Sequence, residues 1–149
     1  MAYTSGQKLR ASQLLPSGDW TDYSGTCAWT ASTTNPTIGN GTIVARWSYN
    51  HAHEVTVNVK IACGSTSTKG TGNYSFSLPV AATAADAKGA TGSMWINDSG
   101  SAVRPSVVIA NTTTTVQAYF GSNGNQLAST TLLGTFTTTS LSFSFTYEV

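Results

Sequence analysis

Charge is scarce in this chain. Only 9% of its residues are Asp, Glu, Lys or Arg, seven basic against six acidic. No strong field of one sign therefore points to nucleic acid or to insertion into an anionic membrane. Histidine is scarcer still. His51 and His53 are the only two, and no Gly-x-Ser-x-Gly element accompanies any serine, so no nucleophile–base pairing can be assembled from sequence. No apolar run approaches the ~18 residues of a membrane helix. The first residues carry Lys8 and Arg10 but no apolar stretch of signal-peptide type. With two cysteines, the chain has no disulfide framework of the small secreted kind. Cys27 and Cys63 read first as free, buried thiols, since cysteine packs as a small hydrophobe, with a Cys27–Cys63 disulfide as the alternative.

What the chain has is alternation. Val55, Val57, Val59, Ile61 and Cys63 share one parity, and Glu54, Thr56, Asn58, Lys60 and Ala62 the other. Side chains of a strand point to opposite faces with period two, so this is a strand with one apolar face, and Cys63 is expected in the core. Upstream, Thr42 to Tyr49 places Ile43, Ala45, Trp47 and Tyr49 on one side. Downstream, Tyr74, Phe76 and Leu78 alternate with serines until Pro79. Turn-forming residues, Asn50 to His53 and Gly64 to Asn73, separate the three runs. The expectation is a three-stranded antiparallel meander. Near the C-terminus Leu141, Phe143, Phe145, Tyr147 and Val149 repeat the pattern against Ser142, Ser144, Thr146 and Glu148.

Shorter strands are expected at Ser24–Ser32, Ser93–Asp98, Ser106–Ala110 and Thr114–Phe120, with turns at Thr33–Gly41, Asp98–Gly100 and Gly121–Gln126. The Ala-rich stretch from Ala81 to Gly92 has no large apolar residue to bury and reads as a loop. The 149 residues are enough for one domain. About eight or nine strands, polar positions dominated by Ser and Thr, and no helix make it an all-β, antiparallel β-sandwich, jelly-roll-like in strand number. The domain is assigned to residues 19–149. Residues 1–18 read as an N-terminal arm: Leu9, Leu14 and Leu15, with Lys8 and Arg10, are too few and too broken by Pro16 and Gly18 to fold alone, and they form the candidate anchor to a partner.

Candidate chemistry is thin. His51-Ala-His53 has metal-ligand spacing, and three copies on a trimer axis would supply six nitrogens. One pair is incomplete for zinc, so the expectation is a metal-free polar turn and no cofactor. The six acids are Asp19, Asp22, Glu54, Asp86, Asp98 and Glu148. A carboxylate pair could still be assembled in space, but the chain reads as a non-enzyme. Of the four tryptophans, Trp29 and Trp47 are expected in the core. Trp20 and Trp95 lie near strand ends, are expected to be partly exposed, and could offer sugar-stacking platforms.

The order Gly39-Asn-Gly-Thr42, Arg46-Trp-Ser-Tyr49, Val-x-Val, Gly64-Ser-Thr-Ser-Thr68 and Gly70-Thr-Gly-Asn-Tyr-Ser-Phe-Ser-Leu-Pro79 resembles a β-sandwich domain of structural proteins of tailed actinobacterial phages. The opening Gly6-Gln-Lys-Leu-x-Ala-x-x-Leu14 resembles the N-terminal segment of such virion proteins. The likeness spans Trp29 to Pro79 and the N-terminus, and its motifs are turn and strand chemistry. The chain departs from the pattern at Asn50-His-Ala-His53, where a shorter Gly-containing turn is usual. The resemblance implies a virion protein made in the bacterial cytoplasm, with other virion proteins as partners. Tail-associated, fibre- or tip-type contact with the host surface comes first, including a surface glycan. A capsid decoration protein gripping the capsid through its arm is the alternative, and a carbohydrate-binding module outside virions is the third. A homotrimer is expected from the apolar strand faces and the norm of closed symmetry.

Overall fold

The computed structural model describes residues 19–51, 53–83, 91–98, 102–110, 112–120, 125–132 and 135–149, with backbone only at 51, 91, 102–110 and 120. The proposed arm, residues 1–18, and most of the Ala-rich stretch lie outside the described residues. Ten strands account for most of the rest: β1 (Thr21–Asp22), β2 (Trp29–Ala31), β3 (Thr42–His51), β4 (Glu54–Ala62), β5 (Tyr74–Ser77), β6 (Thr91–Asp98), β7 (Ala102–Ala110), β8 (Thr115–Phe120), β9 (Asn125–Gln126) and β10 (Ser140–Glu148). There is no α-helix among the described residues, only a 3₁₀ turn at Phe136–Thr138.

All pairings between strands are antiparallel, and the hydrogen-bonded order is β1-β3-β4-β10-β6-β7-β8-β5-β2, with β9 on β8. In a flat sheet β5 and β10 would lie four strand spacings apart, about 19 Å. Instead the rings of Phe76 on β5 and Phe143 on β10 have centroids 5.0 Å apart. The ladder doubles over into two packed antiparallel sheets, an all-β sandwich. Between the layers lie Val55, Val57, Val59 and Ile61 of β4, Leu141, Phe143, Phe145 and Tyr147 of β10, and Tyr74 and Phe76 of β5, all buried. Trp29 closes one end of this core against Tyr74, Phe76 and Phe136, with centroids at 5.0, 5.8 and 5.6 Å.

The structure corrects the expected meander. β4 is flanked by β3 and β10, whereas β5 belongs to the other half of the ladder, between β8 and β2. The Gly64–Asn73 stretch is therefore a crossing between layers rather than a hairpin turn. It is fastened to the other turn-rich stretch by isolated bridges Thr34–Thr71 and Thr37–Thr68. Asn40 and Thr66 also bond reciprocally: the Asn40 N–H donates to the Thr66 hydroxyl at 2.8 Å, and the Thr66 N–H to Asn40 Oδ1 at 3.0 Å. Gly70 makes the close approach possible. Its φ is +61°, and a Cβ there would collide with the Thr34 carbonyl.

Other expectations shift locally. The Ser24–Ser32 strand shrinks to Trp29–Ala31, because Thr26 and Cys27 turn their N–H groups back onto the Tyr23 carbonyl at 2.9 and 2.8 Å. Register keeps Tyr49 opposite Val55 and Ser48 opposite Thr56, yet Tyr49 is exposed, edge-on to Trp47 at the margin of the core, and Ser48 is buried; a bulge follows between Tyr49 and His51. Trp47 and Cys63 are half-buried at the margin of the core, packed against it rather than enclosed in it. β7 begins at Ala102, four residues earlier than expected, and runs through Pro105. Proline fits there because β8 pairs with β7 only from Val107 onward, leaving Pro105 with a described neighbour on one side only.

Candidate functional site

Four strands of one layer, β3, β4, β10 and β6, lie side by side, and their polar parity faces away from the core. Register lines these residues up in rows. Val44, Lys60, Ser142 and Trp95 stand opposite one another on successive strands. The adjacent row is Asp22, Arg46, Asn58, Ser144 and Ser93. The layer is concave here and encloses a groove of about 620 Å³, with Trp20, just before β1, as a further wall. From Val44 to Trp95 the groove crosses three strand spacings, about 14 Å.

The two walls are indoles with unusual freedom. Trp95 is 56% exposed and Trp20 47%, in a chain whose other large aromatics, Tyr49 apart, are covered or half-covered among the described residues. The floor between them mixes hydroxyl and amide side chains with the apolar Val44, Val59, Met94 and Phe143. The side chains of Asn58, Ser93, Ser142 and Ser144 have no hydrogen-bond partner among the described residues, and Lys60 has no ion-pair or ring partner there. Asp22 lies at the rim. Hydrogen bonding from Ser24, side chain first and then the backbone N–H at 2.8 Å, holds its carboxyl below the usual range, and the Arg46 charge adds to this. Arg46 therefore has a partly compensating anion at its side, and among the described residues Lys60 has none.

The residues singled out from sequence fall elsewhere. Lys8, Leu9, Arg10, Leu14 and Leu15 lie outside the described residues. His51 ends β3, and His53 is exposed in the turn that follows. Among the described residues no three His, Cys, Asp or Glu side chains are grouped so as to hold a metal ion. Glu54 and Glu148 are register partners at the far end of β4 and β10, but neither lines the groove. Asp98, read from sequence as the start of a turn, is buried and accepts a hydrogen bond from the Thr139 hydroxyl at 3.1 Å.

Both thiols are free. Burial pushes Cys27 and Cys63 up to about 11, which keeps them protonated and unreactive at neutral pH. Tyr23 and Trp29 each bury a polar atom, the hydroxyl and Nε1, without a hydrogen-bond partner among the described residues. Both belong to the buried core cluster, and neither lines the groove. No described helix is long and apolar enough to cross a membrane.

Sequence reasoning had named Trp20 and Trp95 as partly exposed but had not joined them into one site. The outward parity of Asn58, Lys60, Ser142 and Ser144 was legible in the alternation. Which strands stand beside one another was not, and that adjacency makes the groove. No protein-family model, curated protein or solved structure matches the chain.

Proposed function

We propose that this chain is a non-catalytic structural protein of a phage virion, tail-associated and of fibre or tip type, whose sandwich contacts the host surface. The observation that carries the reading is the open, indole-walled groove on the outer face of a sheet whose inner face is fully occupied by core. Among the described residues the titratable side chains lining that groove are Arg46 and Lys60, with Asp22 beside Arg46, a set that supports binding rather than bond cleavage. The setting in a virion rests on the likeness of the Trp29–Pro79 motifs and of the N-terminal segment to phage structural proteins.

The arm belongs to the same reading. Leu9, Leu14 and Leu15 with Lys8 and Arg10 anchor the domain to other virion proteins, and burying three leucines on a partner is worth on the order of 4–6 kcal/mol before the cost of ordering the arm. A homotrimer would multiply that grip. The capsid decoration role needs the same two parts, a small sandwich and an arm, and is the second reading.

Immunogold labelling and quantitative mass spectrometry of intact particles separate the two. A few to tens of copies at the tail support the first, hundreds of copies over the capsid the second, and absence from particles overturns both. Deleting residues 1–18 is expected to leave a folded domain that no longer joins the particle. Incorporation at the parental copy number would remove the arm as anchor. Light scattering that finds only monomer at micromolar concentration would remove the trimer.

A further inference from the structure

The geometry points to a specific ligand for the groove: an acidic, uronate-bearing polysaccharide strand, laid across β3, β4, β10 and β6 and held between Trp20 and Trp95. The inference deepens the host-contact reading and takes only its setting from it.

Three features of the groove converge on this chemistry. The walls are exposed indoles, and a pyranose ring presents a face of C–H bonds that covers such a surface while its hydroxyls stay at the ring edge. The floor offers Asn58, Ser142, Ser144 and Ser93, both donors and acceptors, with no partners among the described residues. A protein partner seated on this face would bring apolar side chains against the floor's hydroxyls and amide and leave those groups unpaired, at a cost for each one dried. A sugar chain meets the apolar walls and the polar groups of the floor with the matching surfaces of the same rings.

Charge selects among sugars. Lys60 stands mid-groove, opposite Val44 on one side and Ser142 on the other, with no anion beside it among the described residues. Arg46 is one row away, with Asp22 as its register partner on the side away from Lys60. A carboxylate on a sugar ring fits between Lys60 and Arg46 and pairs with both. A neutral chain would leave Lys60 uncompensated under the ligand.

The test is isothermal titration of the full chain with oligogalacturonate and with a hyaluronan hexasaccharide, using cellohexaose as the neutral control. The expected result is binding of a uronate oligomer, weakening as salt is raised, and little or no heat from cellohexaose. Trp95→Ala is expected to weaken binding by at least about tenfold. Lys60→Gln is expected to weaken it less and to flatten the salt dependence, while both variants keep the parental melting temperature. Lys69→Gln, which removes an exposed cation that does not line the groove, is expected to change affinity by under about threefold. Failure of both uronate oligomers to bind overturns the inference, as does Trp95→Ala binding like the parent. Equal binding of cellohexaose overturns the acidic preference. If Trp95→Ala instead converts a dimer to a monomer and no glycan binds, the face is an interface between copies, and the inference falls while the virion reading stands. Absence from particles would overturn the virion reading and leave the titration result untouched.

Discussion

On the inner face of β4 and β10, the eight side chains Val55, Val57, Val59, Ile61, Leu141, Phe143, Phe145 and Tyr147 are at most 4% exposed. On the outer face of the same two strands, Asn58, Lys60 and Ser144 stand in solvent, with Thr56 and Ser142 half-covered. The backbone hydrogen bonds are shared by both faces, so the difference between them lies in side chains alone. The inner set contributes roughly 1.5–3 kcal/mol for each large apolar group removed from water. The outer set contributes little to folding, which leaves its residue types open to be chosen for a ligand. Stability and the proposed recognition surface thus fall on alternate residues of one ladder.

The sharpest way to break the comparison is to carry a charge across it. Val57→Asp puts an unpaired carboxyl among Val55, Val59 and Phe145, and is expected to cost at least about 3 kcal/mol or to prevent folding, read by urea unfolding. Next comes Phe145→Ala, which empties a fully buried ring site and is expected to cost about 3–5 kcal/mol by the same measurement. Gly92→Ala probes the contact between β6 and β10. A Cβ there would run into the Ser144 carbonyl oxygen, so the strands must part, at an expected cost of about 1–3 kcal/mol.

Alkali tests the inner face without mutation. Burial raises the Cys27 and Cys63 thiols from 9.0 to about 11 and the Tyr147 hydroxyl from 10.0 to about 12, with the Val80 carbonyl accepting its hydrogen bond at 2.8 Å. Each group is easier to deprotonate unfolded than folded. Their contribution is therefore intact below about pH 9 and is lost as pH rises toward 11 and 12. The melting temperature is expected to be level from pH 6 to 8.5 and to fall beyond. A level profile to pH 11 would mean these groups are not buried. The smallest effect is expected from Thr56→Asp, one residue from Val57 and on the outer side. Among the described residues its hydroxyl meets only Thr146 and Asn50, so the change is expected to stay within about 1 kcal/mol. Damage equal to that of Val57→Asp would show that a second surface covers the outer face.

Much of this contrast was legible beforehand. The strict alternation of β4 and β10 fixed which residues face inward, because the period of a strand is a property of its backbone. Trp20 and Trp95 are exposed as expected, but only Trp20 lies at a strand end; Trp95 stands within β6 and owes its exposure to that strand's outward parity. Legibility stopped where alternation was interrupted or a turn was ambiguous. Near the end of β3, Tyr49 stays opposite Val55 in register yet is exposed while Ser48 is buried, and no local signal marks that reversal. Gly64–Asn73 has the composition of a hairpin turn yet serves as a crossing, since Gly and Thr permit either path. Asp98 looked like the opening of a polar turn, and its burial depends on Thr139, forty-one positions away.

By itself the sequence determined the fold class, the inner and outer parity of the long strands, and the kinds of side chain offered on each face. These are local consequences of strand geometry and of which residues prefer to leave water. Only the tertiary structure decided that β10 inserts between β4 and β6 and that β5 crosses to the other layer. Pairing between strands far apart in the chain depends on how whole apolar faces close over one another, which no single stretch encodes. The groove exists because of that pairing: Lys60, Ser142 and Trp95 come from three separate parts of the chain and meet only when the ladder is complete.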